Sequence, residues 1–349
     1  MKRADDTASH SSEKAPQQEE EPPPLVTVKY PFAATDYYMS LAKPEKTDPI
    51  RLQFCPSGEE LKDYPGLSDD PLDEEKDSPV PGLVHRYPDR ALMIVTNVCF
   101  MNCRHCTRKR LWQEGRYALS EAEIDRMIDY IREHKEIRDV IISGGDPLTL
   151  PEAFLESILA KLRAIPNVQI IRLGTRAPVV NPSMITEKLV VMLKRFRPVW
   201  LNTQFNHVQE ITPDSEQAVN RILEAGIPVN NQSVLLKGVN DTSIAMLLLC
   251  QGLLKIGVRP YYLFHCDPVA GVGHFRTSIA KGIDIIGNMR GYTSGLAIPT
   301  YVVDAVGGGG KIPLQPKYLL RMDEKEIVLR NYKGEQFTYA SGDNLQPEG

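Results

Sequence analysis

Three cysteines, Cys99, Cys103 and Cys106, lie close together in the sequence with a C-x3-C-x2-C spacing. A short loop with this spacing can bring three thiolates onto one metal centre. Iron–sulfur clusters of the [4Fe-4S] type are usually held by four cysteines. Three local cysteines without an obvious fourth leave one iron open, as catalytic metal sites need for binding a small molecule. The motif therefore predicts a catalytic [4Fe-4S] cluster.

Two other interpretations of the cysteines are weaker. Cysteines can pack as small apolar residues, but the polar neighbours Asn102, Arg104 and His105 argue against a purely apolar setting. A zinc site would require a further Cys or His in a second paired motif, and the sequence has no such motif. We therefore favour the iron–sulfur cluster.

A second motif is Ser143-Gly144-Gly145-Asp146, which follows an apolar run. Paired glycines let the backbone approach a ligand closely. The alternative is an ordinary turn between a strand and a helix, with Asp146 as the helix cap. The position of the motif behind the cysteine loop favours a ligand-binding role.

A third motif runs from Asp304 through four glycines to Lys311. It does not match a phosphate loop, because Ala305 stands where the first glycine is required and Ile312 follows the lysine. A flexible linker fits poorly, since apolar residues flank the stretch. The glycines could let the chain pass close to a flat cofactor, while Lys311 forms a Schiff base with pyridoxal phosphate (PLP).

The elements that position these motifs alternate along the chain. Apolar runs predict six strands that alternate with helices, a pattern typical of parallel βα units. Ser120 and Glu123 predict a capping box at the start of one helix, and residues 182–196 are predicted to form another. The chemical motifs follow the strands at the ends where such barrels carry their active sites. The fold class is therefore α/β, a partial (β/α)6 TIM-like barrel with an N-terminal helical cap and a C-terminal segment. The predicted strands cover residues 91–96, 139–143, 168–173, 199–205, 228–236 and 259–264.

The domain organisation follows from composition. Residues 1–24 are polar and rich in Glu and Pro, which predicts a disordered tail. Residues 25–90 form a cap segment, residues 91–275 the barrel core and residues 276–349 the segment that carries the lysine. The formal net charge of -4 gives no indication of nucleic acid or membrane binding. Without a signal peptide, and with an oxygen-sensitive cluster, the expected location is the cytoplasm.

With these motifs the sequence resembles the lysine 2,3-aminomutase family of the radical S-adenosylmethionine (SAM) superfamily, from about Tyr30 onwards. The resemblance implies a [4Fe-4S] cluster, SAM and PLP, which together move the α-amino group of an amino acid to its β-carbon. The stretches that carry it are HRYPDRAL, CFMNCRHCTRKR, ISGGDPL, RPVWLNTQFNH, NNQSVLLKGVND, RPYYLFHCD, GHFRTSIAKGIDIIGNMRGYTSG and VVDAVGGGGKIP.

The resemblance also implies roles for individual residues. The three cysteines would hold the cluster, and Lys311 would carry PLP. The residues implied for the PLP phosphate are Arg86, Tyr87 and Arg90, and those implied near SAM are Ser143, Gly144, Gly145, Asp146 and Gln232. Arg108 would pair with the substrate carboxylate. Asp267 and Asp304 would hold the distal ammonium group of lysine, since a buried cation needs counter-charge.

The substrate implied is L-lysine, and two carboxylates would reject glutamate by repulsion. Arginine, or lysine in an elongation-factor modification pathway, remains an alternative. An external electron donor of the flavodoxin or ferredoxin type and a homo-oligomer are also implied. Other classes to be tested are a radical SAM enzyme that lacks PLP or modifies a protein, and a non-enzymatic iron–sulfur sensor.

The sequence departs from the family pattern in two places. Well-known members have a zinc site between subunits, built by tail cysteines and by one in the region of Thr242. This chain ends at Gly349 without those cysteines, so we expect no zinc and a different subunit interface. Gln204 stands where the family often has a histidine near SAM, which leaves the SAM geometry at that position open.

Overall fold

A computed structural model describes residues 24–341. The predicted disordered tail, residues 1–24, lies outside this range except for its last residue. The helices are α1 Pro24–Lys29, α2 Asp36–Ser40, α3 Arg51–Phe54, α4 Glu121–Glu133, α5 Glu152–Arg163, α6 Ala177–Val180, α7 Glu187–Lys194, α8 Pro213–Glu224, α9 Ser243–Lys255 and α10 Ile279–Met289.

The centre of the fold is one nine-stranded sheet in which the strands follow the order of the chain. Strands β2 to β8 pair in parallel. The edge strands β1 and β9 pair antiparallel with their neighbours. The strands are β1 Leu83–Tyr87, β2 Arg90–Thr96, β3 Asp139–Gly144, β4 Ile170–Gly174, β5 Val199–Thr203, β6 Val229–Leu235, β7 Arg259–His265, β8 Thr300–Ala305 and β9 Gly310–Leu314.

All six predicted parallel strands are present, as β2 to β7, and the partial TIM-like barrel is confirmed. The sequence did not predict β1, β8 and β9. Strands β1 and β2 form a tight antiparallel hairpin. Strands β8 and β9 form another, joined by the glycine-rich residues 306–309, called the glycine turn below together with Gly310. These edge strands come from the cap segment and the C-terminal segment, so both flanking segments extend the sheet of the core.

Local sequence signals explain where the helices begin. The Ser120 hydroxyl accepts the Glu123 backbone N–H, and the Glu123 carboxylate accepts the Ser120 N–H, which is the capping box expected from the sequence. One helix is shorter than predicted, because a separate 3-10 turn covers Pro182–Met184. Helix α7 then begins after its own N-cap, Thr186.

The barrel is apolar between the sheet and the helices but polar inside. The apolar face of α4, for example, is buried through Ile124, Met127, Ile128 and Ile131. Residues that point into the barrel include Arg172, Asn202 and Gln232, which line internal cavities. The polar interior provides the space and the hydrogen-bonding groups for a ligand.

The C-terminal residues form a separate three-stranded antiparallel sheet. Its strands are β10 Leu319–Met322, β11 Glu326–Arg330 and β12 Gln336–Ala340. In the described part of the chain, no helix has the length and apolar character needed to cross a membrane.

Candidate active site

The cysteine loop follows β2 and is fastened at its base by Asn97. The Asn97 side-chain amide donates to the carbonyl of Leu111 at 2.8 Å, and its oxygen accepts the Tyr117 N–H at 2.8 Å. All three cysteines line one cavity of about 260 Å³. The structure therefore brings Cys99, Cys103 and Cys106 together, as the spacing predicts.

Two basic residues of the loop are buried on one carboxylate of the N-terminal cap. Arg104 and Lys109 both approach the Glu60 Oε2 atom at 2.7 Å. Arg104 also donates to the carbonyls of Tyr30 and Pro31. Burial alone would raise the pKa of Glu60, but these two cations lower it. The cap thus fixes the cysteine loop through buried ion pairs to a single carboxylate.

Arg108 is paired in the same manner with a second cap carboxylate. Its Nε and Nη2 atoms contact Glu74 at 3.1 and 2.7 Å, and Arg110 contacts the other Glu74 oxygen at 2.8 Å. Burial would raise the pKa of Glu74, but the two arginines lower it to about 2. Glu74 therefore holds the Arg108 guanidinium, which lines both site cavities.

The cysteine cavity is lined by three free thiols, whose pKa values bear on metal binding. Burial raises the pKa of Cys99 well above its usual range and that of Cys106 to about 11. A metal centre that binds these sulfurs must displace their protons. Among residues 24–341, no three metal-binding side chains converge as ligands of a single ion. Cysteines that each bind a different iron of a cluster stand farther apart than ligands of one ion.

His105, inside the cysteine motif, supplies an unpartnered polar atom at this cavity. The Asn206 amide oxygen accepts the Val234 N–H at 2.9 Å, so the Asn206 NH2 group faces the His105 Nε2 atom at 3.3 Å. The Gln204 amide nitrogen lies 2.9 Å from the same Nε2 atom. The proton is therefore placed on Nδ1, which is buried and has no partner in the described residues. His105 lines the cysteine cavity, and its Nδ1 atom is a buried donor left without a hydrogen bond by the described residues.

The glycine pair packs against the cysteine loop. A side chain on Gly144 would collide with the Thr96 carbonyl, and one on Gly145 with the Val98 carbonyl. The Asp146 carboxylate accepts the Thr175 hydroxyl at 2.7 Å and the Leu148 N–H at 3.0 Å. The glycines therefore allow close contact between two loops. Asp146 caps the 3-10 turn Pro147–Thr149, which is the structural role that the sequence offered as the alternative to ligand binding. It also lines the cysteine cavity.

A second cavity, of about 390 Å³, surrounds Lys311. The Lys311 Nζ atom lies 3.2 Å from the buried Asp304 carboxylate. Asp267 lines the same cavity and accepts the Thr107 hydroxyl at 2.9 Å. Burial, together with the neighbouring Asp304 carboxylate, raises the pKa of Asp267 to about 6. The structure thus brings the predicted lysine and both predicted aspartates to one end of the cavity.

The glycine turn lies against Arg86 and Tyr87. Gly308 and Gly310 have φ angles of 84° and 79°, which glycine adopts readily. A side chain on Gly308 would lie 3.6 Å from the Arg86 guanidinium, and one on Gly310 would lie 2.9 Å from the Tyr87 hydroxyl. Lys311 donates its backbone N–H to that hydroxyl at 2.8 Å. The turn, Arg86 and Tyr87 form a cradle at the lysine cavity that contains a guanidinium and a hydroxyl group.

Arg90 completes this cradle from the β1–β2 hairpin, with its guanidinium 4.0 Å from the centre of the Tyr87 ring. Arg86 is held by Asp77, whose carboxylate it contacts at 2.6 Å. Tyr87 and Arg90 lie at the amino-terminal end of β2, whereas the cysteine loop leaves its carboxyl-terminal end. The lysine cavity therefore extends along the inside of the barrel.

The two cavities adjoin. The residues that line both are Thr107, Arg108, Ser143, Gly174, Asn202, Gln204, Gln232 and Val234. A group bound at the cysteines therefore faces a group bound at Lys311 across this shared wall. Such an arrangement would let a species formed in one cavity act on a molecule held in the other.

No sequence motif marks Glu60, Glu74 or Arg176 as part of the site. The spacing of Ser57 and Glu60 is that of a capping box, and the structure contains this capping box. The spacing could have indicated an ordered turn at Glu60. Arg176 carried a different signal, because it follows β4 where barrel chemistry gathers. The partners of these residues are distant in the chain, and only the fold brings them together.

Comparison with known proteins agrees with this geometry. Residues 93–249 match the radical SAM superfamily, and residues 286–349 match the family described as Lysine-2,3-aminomutase. The L-lysine 2,3-aminomutase of Clostridium subterminale is 50% identical over 90% of this chain and 76% of its own length.

Two further relatives are similar over comparable lengths. The L-lysine 2,3-aminomutase of Bacillus subtilis (strain 168) is 48% identical over 92% of this chain and 68% of its own length. The glutamate 2,3-aminomutase of Clostridioides difficile (strain 630) is 46% identical over 88% of this chain and 73% of its own length. On these matches, the chain belongs to the lysine 2,3-aminomutase family of radical SAM isomerases.

Proposed function

We propose that this enzyme is an L-lysine 2,3-aminomutase, which converts L-lysine to β-lysine. Membership of the family implies a [4Fe-4S] cluster, SAM and PLP. Cys99, Cys103 and Cys106 would hold the cluster, and Lys311 would carry PLP. The adjoining cavities and the glycine cradle support these assignments.

When bound, the cluster and SAM supply a carbon radical that removes hydrogen, and PLP stabilises the unpaired electron during amino migration. The chain's own residues orient the groups and exclude water. Ser143 and Gln232, on the shared wall, would hold SAM between the cysteines and the substrate. Arg86, Tyr87 and Arg90 would bind the phosphate. An external one-electron donor of the flavodoxin or ferredoxin type would reduce the cluster.

The pair of buried carboxylates, Asp267 and Asp304, carries the proposal for lysine. A distal ammonium group bound near both carboxylates would lose its hydration but gain their negative charge. In the ligand-free chain Asp304 is paired with Lys311. While Lys311 is bonded to PLP it would not pair with Asp304, so both carboxylates could receive the ammonium group of an arriving substrate. A glutamate side chain would meet two like charges instead.

Arg108 would bind the substrate carboxylate. Glu74 contacts its Nε and Nη2 atoms and fixes the plane of the guanidinium. A positively charged group at one end and two carboxylates at the other match an amino acid with a cationic side chain. Sequence identity alone does not select lysine, because the relative named glutamate 2,3-aminomutase is nearly as similar.

The test is anaerobic turnover by protein reconstituted with iron, sulfide, SAM, PLP and dithionite. L-lysine, L-arginine and L-glutamate are supplied separately, and the β-amino acid is measured by mass spectrometry. We expect β-lysine as the main product. In Asp304→Asn, kcat/KM for lysine should fall at least ~30-fold, the equivalent of about 2 kcal/mol for a lost partner of a buried charge.

Asp284→Asn serves as the matched control, because Asp284 is exposed on α10 away from both cavities. Turnover of glutamate in preference to lysine would contradict the proposal. SAM cleavage without turnover of any free amino acid would instead point to a protein substrate. Turnover without PLP would rule out the role of Lys311.

A further inference from the structure

Arg176 is a buried residue beside the cysteines that the proposed chemistry leaves without a role. It lies just after β4 and only 8% of it is exposed. Its Nη1 atom donates to the Cys103 Sγ atom at 3.0 Å. This is a charge-assisted hydrogen bond to one of the three sulfurs of the motif.

The rest of the guanidinium is fixed by groups from three other parts of the chain. Its Nη2 atom donates to the Glu210 carboxylate and to the Gln53 amide oxygen, both at 2.6 Å. Its Nε atom donates to the Gln204 carbonyl at 2.9 Å. Because a guanidinium is planar and rigid, these bonds determine where Nη1 points. Nη1 is therefore held at the sulfur of Cys103.

The three cysteines differ in this respect. Within residues 24–341, Cys106 accepts a backbone N–H from Arg108 at a longer distance of 3.4 Å and no side-chain donor. Hydrogen bonds and positive charge at the cluster sulfurs stabilise the reduced, more negative form and raise the reduction potential. Burial strengthens the effect, because the local dielectric is low.

We propose that Arg176 is a positioning residue that holds its guanidinium on Cys103 Sγ and makes one-electron reduction of the cluster more favourable. Glu210 opposes this effect, since its carboxylate neutralises part of the same charge. The inference rests on the proposed function, in which Cys103 is a cluster ligand. It adds a residue that sets how readily the cluster accepts its electron.

The test is a redox titration of the reconstituted protein without SAM, followed by the electron paramagnetic resonance signal of the reduced cluster. We expect Arg176→Gln to make reduction at least tenfold less favourable, about 59 mV more negative for one electron. Glu210→Gln should shift the potential in the opposite direction. General loosening of the site would not give opposite signs.

Arg163→Gln is the matched control. It removes an arginine that donates to the backbone carbonyls of Phe196 and Pro198, and it should keep the wild-type potential. If Arg176→Gln does not fold, Glu210→Gln alone carries the test, since it keeps the guanidinium and removes the carboxylate that opposes it. An unchanged potential in either variant, with the cluster intact, would overturn the inference. Failure of the wild type to form a cluster would overturn the proposed function instead.

Discussion

The two ends of the site hold their charges differently. At the cysteine end, Arg104 and Lys109 are buried against Glu60 with contacts of 2.7 Å. At the lysine end, Lys311 is 33% exposed and contacts Asp304 at 3.2 Å. The first end is bonded into the core, and the second keeps an ion pair that a ligand can replace.

The difference matches what each end would do. A cluster must be held in one geometry, so its loop is fixed by carboxylates from the N-terminal cap. A substrate must enter and leave, so its end has a longer ion pair and a carboxylate, Asp267, with a pKa raised to about 6. We therefore expect changes at the cysteine end to damage assembly, and changes at the lysine end to damage binding.

The largest effect should come from a cysteine. Cys106→Ala removes one of three sulfur ligands, and we expect the reconstituted protein to lose its bound iron and all turnover. Iron analysis and the absorbance of the cluster measure this. Cys55→Ala is the control, because Cys55 does not line the cysteine cavity. Iron retention and activity in Cys106→Ala would show that the cluster is held elsewhere.

At the lysine end, Lys311→Ala should abolish covalent PLP binding while the fold is kept. We expect turnover to fall roughly 10³-fold or more, as for other residues that bond to the reacting group. Borohydride reduction followed by peptide mass spectrometry identifies the labelled lysine. Lys281→Ala, on the exposed face of α10, should keep the label. A labelled peptide that lacks residue 311 would contradict the assignment.

The cap carboxylate should affect stability more than chemistry. Glu60→Gln leaves Arg104 and Lys109 buried without their counter-charge, which typically costs about 3–5 kcal/mol. We expect the free energy of unfolding in urea to fall by this amount. Glu75→Gln, at an exposed position of the same cap segment, should leave it nearly unchanged. Equal stability of the two variants would remove the distinction between the two ends of the site.

The sequence predicted the parts of the fold that local patterns encode. Apolar runs located β2 to β7, and the capping box at Ser120 and Glu123 located the start of α4. Strands β1 and β9 were not predicted, because short edge strands depend on the partner they find. The C-x3-C-x2-C motif and the glycines before Lys311 predicted which residues gather in the two cavities.

The supporting residues could not be predicted in the same way. Glu60 lies in a Pro- and Asp-rich segment, 44 residues from Arg104. Glu210 and Arg176 are 34 residues apart, and neither belongs to a motif. A buried ion pair depends on which surfaces the fold brings into contact. The sequence around a single glutamate does not indicate which cation it will contact.

The smallest predicted effect depends on pH and concerns Asp267. Its pKa is raised from 3.8 to about 6 in the folded protein, so burial of the ionised form destabilises the fold. The stability is highest below pH 3.8, where the group is neutral in both states, and falls as the pH rises through 6. A pKa difference of about 2 corresponds to about 3 kcal/mol.

Asp267→Asn should therefore stabilise the ligand-free protein by up to about 3 kcal/mol at pH 8 and have little effect near pH 4, as measured by urea unfolding. A bound cation stabilises the ionised carboxylate, so the affinity for lysine should weaken below about pH 6 in the wild type and lose this pH dependence in the variant. Asp284→Asn controls for a general change of charge. If Asp267→Asn destabilises the protein at pH 8, Asp267 supports the fold. The lysine end would then resemble the cysteine end, where buried charges stabilise the fold, and Asp267 would not be a group whose charge awaits a ligand.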